Sequence, residues 1–418
     1  MKNIIVLLSF FSTFLSAANW LMLQGSESKV GHHPWGFLQL RFQDNGGEVQ
    51  INNGINKTPF SYIKPTLQHQ SELQVARARL GLRGSLDDAN KINYFLLGEV
   101  AQNGVNNSLA THTDNYLMDA SITFKHLPLY IRFGRFKYAG SEEGNMARFA
   151  SPFIVFSTVG DQLMLERFLD TKTPYVSNPD LYIAKPAEGT GAYRDTGIQL
   201  FQSFKLAQAS YLTLSYMLGS GTGIKNEIDF HNHTHYGYVS YENILGKGKG
   251  YKQEAFKLYA WHQDGQRDLA DRIRYGLGTT YFYDKLHLEA EYMKGKGMIY
   301  TGAKDTDNNI NTNNWQYSLQ ASKKNEADGY YLLGTYELAK QFELIARYDV
   351  YNRMTNIKSE YRQFKTFTTG FSYRFKAYDR VDINYAYNKA SAPHNQVADQ
   401  ILKSFGNLLS IQYTMVFK

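Results

Sequence analysis

The sequence predicts an all-β protein, a transmembrane antiparallel β-barrel of about 16 strands with short periplasmic turns and long extracellular loops. Three observations carry that prediction. Apolar and polar residues alternate at period two in segment after segment. Aromatic residues make up 15% of the chain, with 32 Tyr and 26 Phe, although the mean hydropathy is only −0.44. Beyond the N-terminal stretch no run of about 18 apolar residues occurs, so a bilayer crossing falls to strands, whose alternating faces dilute the hydropathy signal.

The first residues stand apart. Met1-Lys2-Asn3 is positive, Ile4 to Leu15 is apolar, and Ser16-Ala17-Ala18 is small. That is the layout of a secretory signal peptide. Residues 1–18 are expected to be the signal and residues 19–418 the barrel, with cleavage after Ala17 nearly as suitable. There is no cysteine, which excludes disulfides, thiolate metal sites, Cys nucleophiles and c-type haem attachment on this chain. A net charge of +7 says little about nucleic acid. Concentrated in a pore, it would favour anions.

The strands follow in order. Gly36, Leu38, Leu40 and Phe42 alternate with Phe37, Gln39, Arg41 and Gln43. Ala76, Ala78, Leu80 and Leu82 alternate with Arg77, Arg79, Gly81 and Arg83, and Met118, Ala120, Ile122 and Phe124 with Asp119, Ser121 and Thr123. Near the end, Phe367, Thr369, Phe371, Tyr373 and Phe375 alternate with Thr368, Gly370, Ser372 and Arg374. Starts fall near Gly36, Leu73, Ile92, Asn115, Leu129, Arg194, Ala209, His235, Gln253, Arg272, Leu286, Gly329, Gln341, Phe364, Arg380 and Leu408. A half-strand at Trp315–Ser322 would raise the count to about 18.

The links sort into two classes. After even-numbered strands they are short, as in "SLDDANK", "KHLP" and "DK"; after most odd-numbered ones they are long and polar. The longest runs from about Tyr138 to Tyr193 and contains the apolar runs "FASPFIVFSTV" and "QLMLERFL". A loop of that length is usually functional. Left in water its apolar runs would form an exposed patch, so the loop is expected to fold into the lumen and constrict the pore.

"ARARLGLRGSL" (Ala76–Leu86), "YLMDASITF" (Tyr116–Phe124), "YIRFGRFKYAGSEE" (Tyr130–Glu143), "LERFL" (Leu165–Leu169) and "YRDTGIQLF" (Tyr193–Phe201) come in the order seen in the phosphate-selective porin O/P family, which the chain resembles. "LTLSYMLGSGTG" (Leu212–Gly223) and "LLSIQYTMVF" (Leu408–Phe417) resemble it as well, with Gly134–Lys137 the most specific step. The resemblance implies a trimeric porin in the outer membrane of a Gram-negative cell, passing small solutes and, in its best-studied members, anions. The chain departs from the pattern in mixing acids among its bases, and in ending on Lys418 with the aromatic one place earlier, at Phe417.

The candidate anion-attracting residues are Arg41, Arg77, Arg79, Arg83, Lys257, Arg272, Arg274, Arg347 and Arg374 on presumed lumen faces, with Arg132, Arg135, Lys137 and Arg148 around the constriction. Guanidinium groups in a confined channel attract anions and bind oxyanions bidentately. Alternatively they solvate the wall and pair with Glu99, Asp119, Glu289, Glu291, Asp349 and Asp382. Glu142 and Glu143, just past the fifth strand, would face the arginines across the constriction or cap a solvated turn. "HNHTH" sets His231, His233 and His235 on one side of an extended segment, a weak metal candidate beside the plainer reading of a polar loop. "DTDNN" from Asp305 has Ile310 and Gln316 where a Ca²⁺ loop needs Gly and Glu. "LGSGTG" follows a strand but opens no helix, so it supports no nucleotide site.

No catalytic spacing emerges, and no cofactor is implied. The expected function is a non-enzymatic porin giving passive diffusion of small hydrophilic solutes, with modest anion preference that includes phosphate as its narrower version. Its partners would be the bilayer, the solute and two copies of itself. The rival readings are a barrel sheath for an electron-transfer cytochrome and a barrel lipid hydrolase.

Overall fold

The computed structural model describes residues 30–47, 50–52, 55–57, 71–101, 116–165, 193–221, 223–224, 233–248, 250–267, 270–299, 325–376, 379–396, 399, 402–403 and 405–417. The predicted signal peptide, the Trp315–Ser322 half-strand, "DTDNN" and His231 lie outside those residues.

Sixteen strands close into one antiparallel barrel. They are β1 (Gly31–Asn45), β4 (Ser71–Ser85), β5 (Ile92–Glu99), β6 (Tyr116–Phe124), β7 (Tyr130–Lys137) and β8 (Arg194–Lys205). Next come β9 (Ser210–Gly219), β10 (Thr234–Ile244), β11 (Ala255–Arg267), β12 (Ala270–Tyr283) and β13 (Leu286–Lys296). The last are β14 (Glu326–Ala339), β15 (Phe342–Arg353), β16 (Arg362–Arg374), β17 (Arg380–Ser391) and β18 (Leu408–Phe417). The short pair β2 (Gln50–Asn52) and β3 (Ile55–Lys57) forms a separate hairpin between β1 and β4.

Each barrel strand pairs with its neighbour in sequence, and β1 closes the ring on β18 from Gly36↔Phe417 to Asn45↔Leu408. Closure removes both sheet edges, so within the paired registers each strand has a ladder partner on either side without water. The two faces then separate by parity. On β9, Tyr211, Thr213, Ser215 and Met217 are buried inside, whereas Leu214, Tyr216 and Leu218 stand 42–47% exposed outside. The same outward exposure recurs in Leu258, Leu277, Leu332, Tyr348 and Phe367. Large side chains in a continuous outward band are what a lipid-facing wall requires.

One local difference from the period-two reading has a physical cause. On β4 the alternation breaks at Ala76: Gln39 pairs with Arg77 and Leu40 with Val75, so Ala76 is the extra residue of a bulge and is buried beside Arg77. A bulge sets two residues against one step of the partner strand. β11 ends at Arg267 and β12 begins at Ala270, so the link between them is two residues long.

Candidate functional site

Chain leaving β7 turns back on itself at once. The Lys137 ammonium donates to the carbonyls of Gly144 (2.8 Å), Asn145 and Met146, closing the first turn around the helical turn α1 (Glu142–Asn145). Gly140 takes φ +84°, and a Cβ there would lie 2.3 Å from the Trp261 ring of β11. Only glycine lets the backbone pass that close.

Residues 138–165 then bond to inward-facing side chains around the wall. Glu142 pairs with Lys257 of β11, and its amide donates to Glu291 of β13 at 3.1 Å. Glu143 accepts from Arg347 of β15 (2.9 Å) and from the Ser157 amide and hydroxyl (2.8 and 2.6 Å). The Ile154 amide donates to Asn384 of β17, and the Thr158 amide to Asp349 of β15, each at 2.8 Å. Arg41 and Gln39 of β1 donate to the carbonyls of Ile154 and Arg148, and Arg274 of β12 to that of Leu163. The apolar runs are buried: Phe153, Ile154, Phe156, Val159, Leu163 and Met164 are each 4% exposed or less.

The predicted basic residues divide into groups. Arg77 donates to Gln39 at 2.9 Å and lies close enough to Arg41, Arg79 and Arg148 to feel their charge. Among the described residues its Nε has no hydrogen-bond partner, nor do Nε and Nη1 of Arg148 or Nη2 of Arg132. Burial lowers the Arg148 guanidinium to about 10, so it remains cationic at neutral pH. Arg79 is ion-paired with Glu99 (2.7 Å), Arg347 with Glu143 and Asp349. Arg132 sits between the rings of Phe136 and Phe201 and donates to Thr123. Arg272 donates to Gln263, and Arg274 to the carbonyls of Gly297 and Met298 as well as Leu163.

Four of the expected placements gain detail or correction. Arg135 does not line the bore: it shares the outward face of Ile131 and Phe133, pairs with Ala120 and Thr196, and donates to the Leu117 carbonyl. Arg83 shares the face of Arg77 and Arg79 but is exposed near the turn end of β4, over the Trp35 ring. Arg374 keeps the inward parity of β16 but lies at its turn end, paired with Glu337 and Glu343. Among the described residues Glu289 and Glu291 form no ion pair with arginine; the Tyr331 hydroxyl lies within hydrogen-bond reach of both, able to donate to one at a time, and Glu291 also accepts from Trp261 Nε1 at 2.7 Å.

The lumen is thus two-sided in charge. Arg41, Arg77, Arg79 and Arg148 gather around β1 and β4. Glu242 on β10 and Glu289 and Glu291 on β13 gather with Glu142 around Lys257.

The barrel is similar to known outer-membrane channels. An anion-selective porin from Comamonas acidovorans superposes with TM-score 0.54 at 12% identity, covering 93% of this chain and 99% of that one. The outer membrane channel DcaP of Acinetobacter baumannii gives 0.51 at 13% identity, with 93% and 98% covered. OmpF of Salmonella typhi gives 0.52 at 12%, with 92% and 97% covered. At these identities the likeness shows the fold. No protein-family model matches the chain, and no curated protein matches its sequence.

Other predicted features resolve differently. His235 points outward, its Nδ1 2.6 Å from the Tyr216 hydroxyl, with the His233 ring 5.2 Å away; among the described residues no metal-holding group forms. The "LGSGTG" step wraps the Asp195 carboxylate, which accepts from Ser220, the Gly221 and Gly223 amides and Tyr236. Sequence reasoning passed over Arg380, which pairs with Asp382 and donates to the Ala150 carbonyl, and Tyr259, whose hydroxyl is buried without a partner. Inward parity was their available signal.

Proposed function

We propose that the chain is an outer-membrane porin of a Gram-negative bacterium, exported by the leader at residues 1–18 and passing small hydrophilic solutes by diffusion rather than catalysis. Residues 138–165 narrow the bore, and the basic lane beside β1 and β4 gives it a modest preference for anions. The observation that carries this reading is the gathering of four guanidinium groups beside β1 and β4: Arg41 and Arg148 both donate to the Ile154 carbonyl, and Arg77 lies close enough to both, and to Arg79, to feel their charge. Fixed donors in a confined channel replace part of an anion's hydration shell, while the carboxylates on the far wall keep net binding weak enough for release. Phosphate is the narrower solute, supported by the resemblance of the Gly134–Lys137 step and by the geometric match of guanidinium to oxyanions.

Two further features follow the resemblance: assembly as a homotrimer in the bilayer, and the absence of a resident cofactor. The rival sheath reading meets the segment already lodged inside the barrel, where a partner would have to sit.

Single-channel recording in a KCl gradient tests the proposal. The expected reversal potential is on the anion side, and Arg77→Gln with Arg148→Gln moves it toward zero or beyond. No conductance from a folded barrel overturns the porin; cation preference in the unmodified chain overturns the anion lane. Phosphate added at millimolar concentration should partly block the current, and lack of block removes the phosphate version.

A further inference from the structure

At the loop end of the barrel, opposite the short turns, β16 and β17 place two lysines directly across from one another. Lys365 pairs with Lys389 in register, both on the outward face and both exposed. Like charges directly opposite on an antiparallel pair repel. Among the described residues neither lysine forms an ion pair; the nearby Asp399 carboxylate lies 3.6 Å from a third lysine, Lys403. One step further into the outward band, Phe367 pairs with Tyr387, their rings stacked 6.3 Å apart. Tyr348, in register with Phe367, lies 6.4 Å from Tyr330 and continues that aromatic row. A row of aromatic rings marks the level where the hydrocarbon gives way to headgroups. The paired lysines therefore stand at headgroup height.

They also border a pocket. β17 runs on to Ser391 past its last pair with β18, Ala386↔Leu408. The notch so formed holds a volume of about 360 Å³, lined by Lys365, Lys389 and Lys403 together with Gln363, Leu402 and Phe405. Lys365 and Lys389, which have no ion pair among the described residues, call for an anion, while Lys403 already faces Asp399; Leu402 and Phe405 call for something apolar attached to it. Inorganic phosphate offers only the first, and a lipid phosphate offers both.

We propose that this rim pocket binds the phosphate of an anionic lipid headgroup in the outer leaflet. The bound phosphate offsets the Lys365–Lys389 repulsion while the lipid's apolar stem lies along Phe405 and the aromatic row. The inference rests on the membrane placement proposed above but not on conduction.

The test uses the full chain in detergent and native mass spectrometry with a phosphorylated disaccharide lipid, its enzymatically dephosphorylated form, and inorganic phosphate as competitor. The phosphorylated lipid should bind preferentially, and Lys365→Gln with Lys389→Gln should weaken it by about thirtyfold, since each lysine near a lipid surface contributes ~1 kcal/mol. Lys365→Arg with Lys389→Arg should restore binding, which separates charge from misfolding. Equal binding of the two lipids overturns the proposal, as does an unaffected glutamine variant. Displacement by millimolar inorganic phosphate also overturns it and assigns the pocket to a free anion. Conductance recorded on the same samples keeps the two claims apart: lipid selectivity without current removes only the channel, and current without lipid selectivity removes only this site.

Discussion

At Glu143 one carboxylate serves three donors: Arg347, the Ser157 amide and the Ser157 hydroxyl. Glu143 and Arg347 are both buried, with side chains 6% and 1% exposed. Removing one member of such a pair leaves the other charge uncompensated, which costs roughly 3–5 kcal/mol. Glu143→Gln is therefore expected to loosen the segment without unfolding the barrel, and limited proteolysis within residues 141–163 should reveal it. A segment as protected as in the unmodified chain would contradict the tether. The acids were legible in the sequence as charges beside a strand end, whereas Lys257 and Arg347 as their partners were not. Those partners lie 115 and 204 residues away along the chain, and nothing local encodes which inward positions meet. Lys137 was grouped with the bases around the constriction; three nearby carbonyls accept from its ammonium.

At the level of elements, the strands were readable nearly residue for residue, because lipid on one side and water or protein on the other impose period two. What escaped was the place where the period slips: Ala76 in β4 reads like any other small residue in a strand, and only pairing with β1 exposes the bulge. Glycines tell a related story. A Cβ on Gly278 of β12 would stand 2.2 Å from the Tyr259 hydroxyl, because that ring lies flat across the glycine toward β13. Gly278→Leu should displace Tyr259 and reduce the yield of folded barrel, read as the fraction resisting heat unfolding in detergent. An unchanged fraction would show that the ring has room to move. The turn between β4 and β5 offers a pH test. Slight desolvation opposes it, but hydrogen bonds from the Ile92 amide, the Ser85 hydroxyl and the Lys91 amide hold the Asp87 carboxyl below its ordinary value. A lowered folded value means that the turn's contribution is complete above the ordinary value of about 3.9 and fades as pH falls through the lower folded one. Protection of the Lys91 and Ile92 amides from exchange should stay level from neutral pH down to about 5, and drop only below about 4. A decline beginning near neutrality would place its cause elsewhere.

For the molecule as a whole, net charge and composition pointed to a barrel but concealed how its charges sort into two walls. Parity assigns a residue to the lumen, yet its position around the ring depends on closure, and closure is a property of all the strands together. The trimer is a whole-molecule prediction too. Native mass measurement in mild detergent should return three chains, and a mass of one chain would remove it. The segment after β7 also has a mechanical consequence. Its bonds reach β1 on one wall and β11 on the other, strands that lie half the ring apart in the closed order. A hollow cylinder one strand thick flattens easily, but a strut across its diameter fixes the cross-section. The bore of this barrel is then held by a brace as well as by its staves, and cutting the brace should make it not only wider but variable, with open-channel current that wanders between levels instead of holding one.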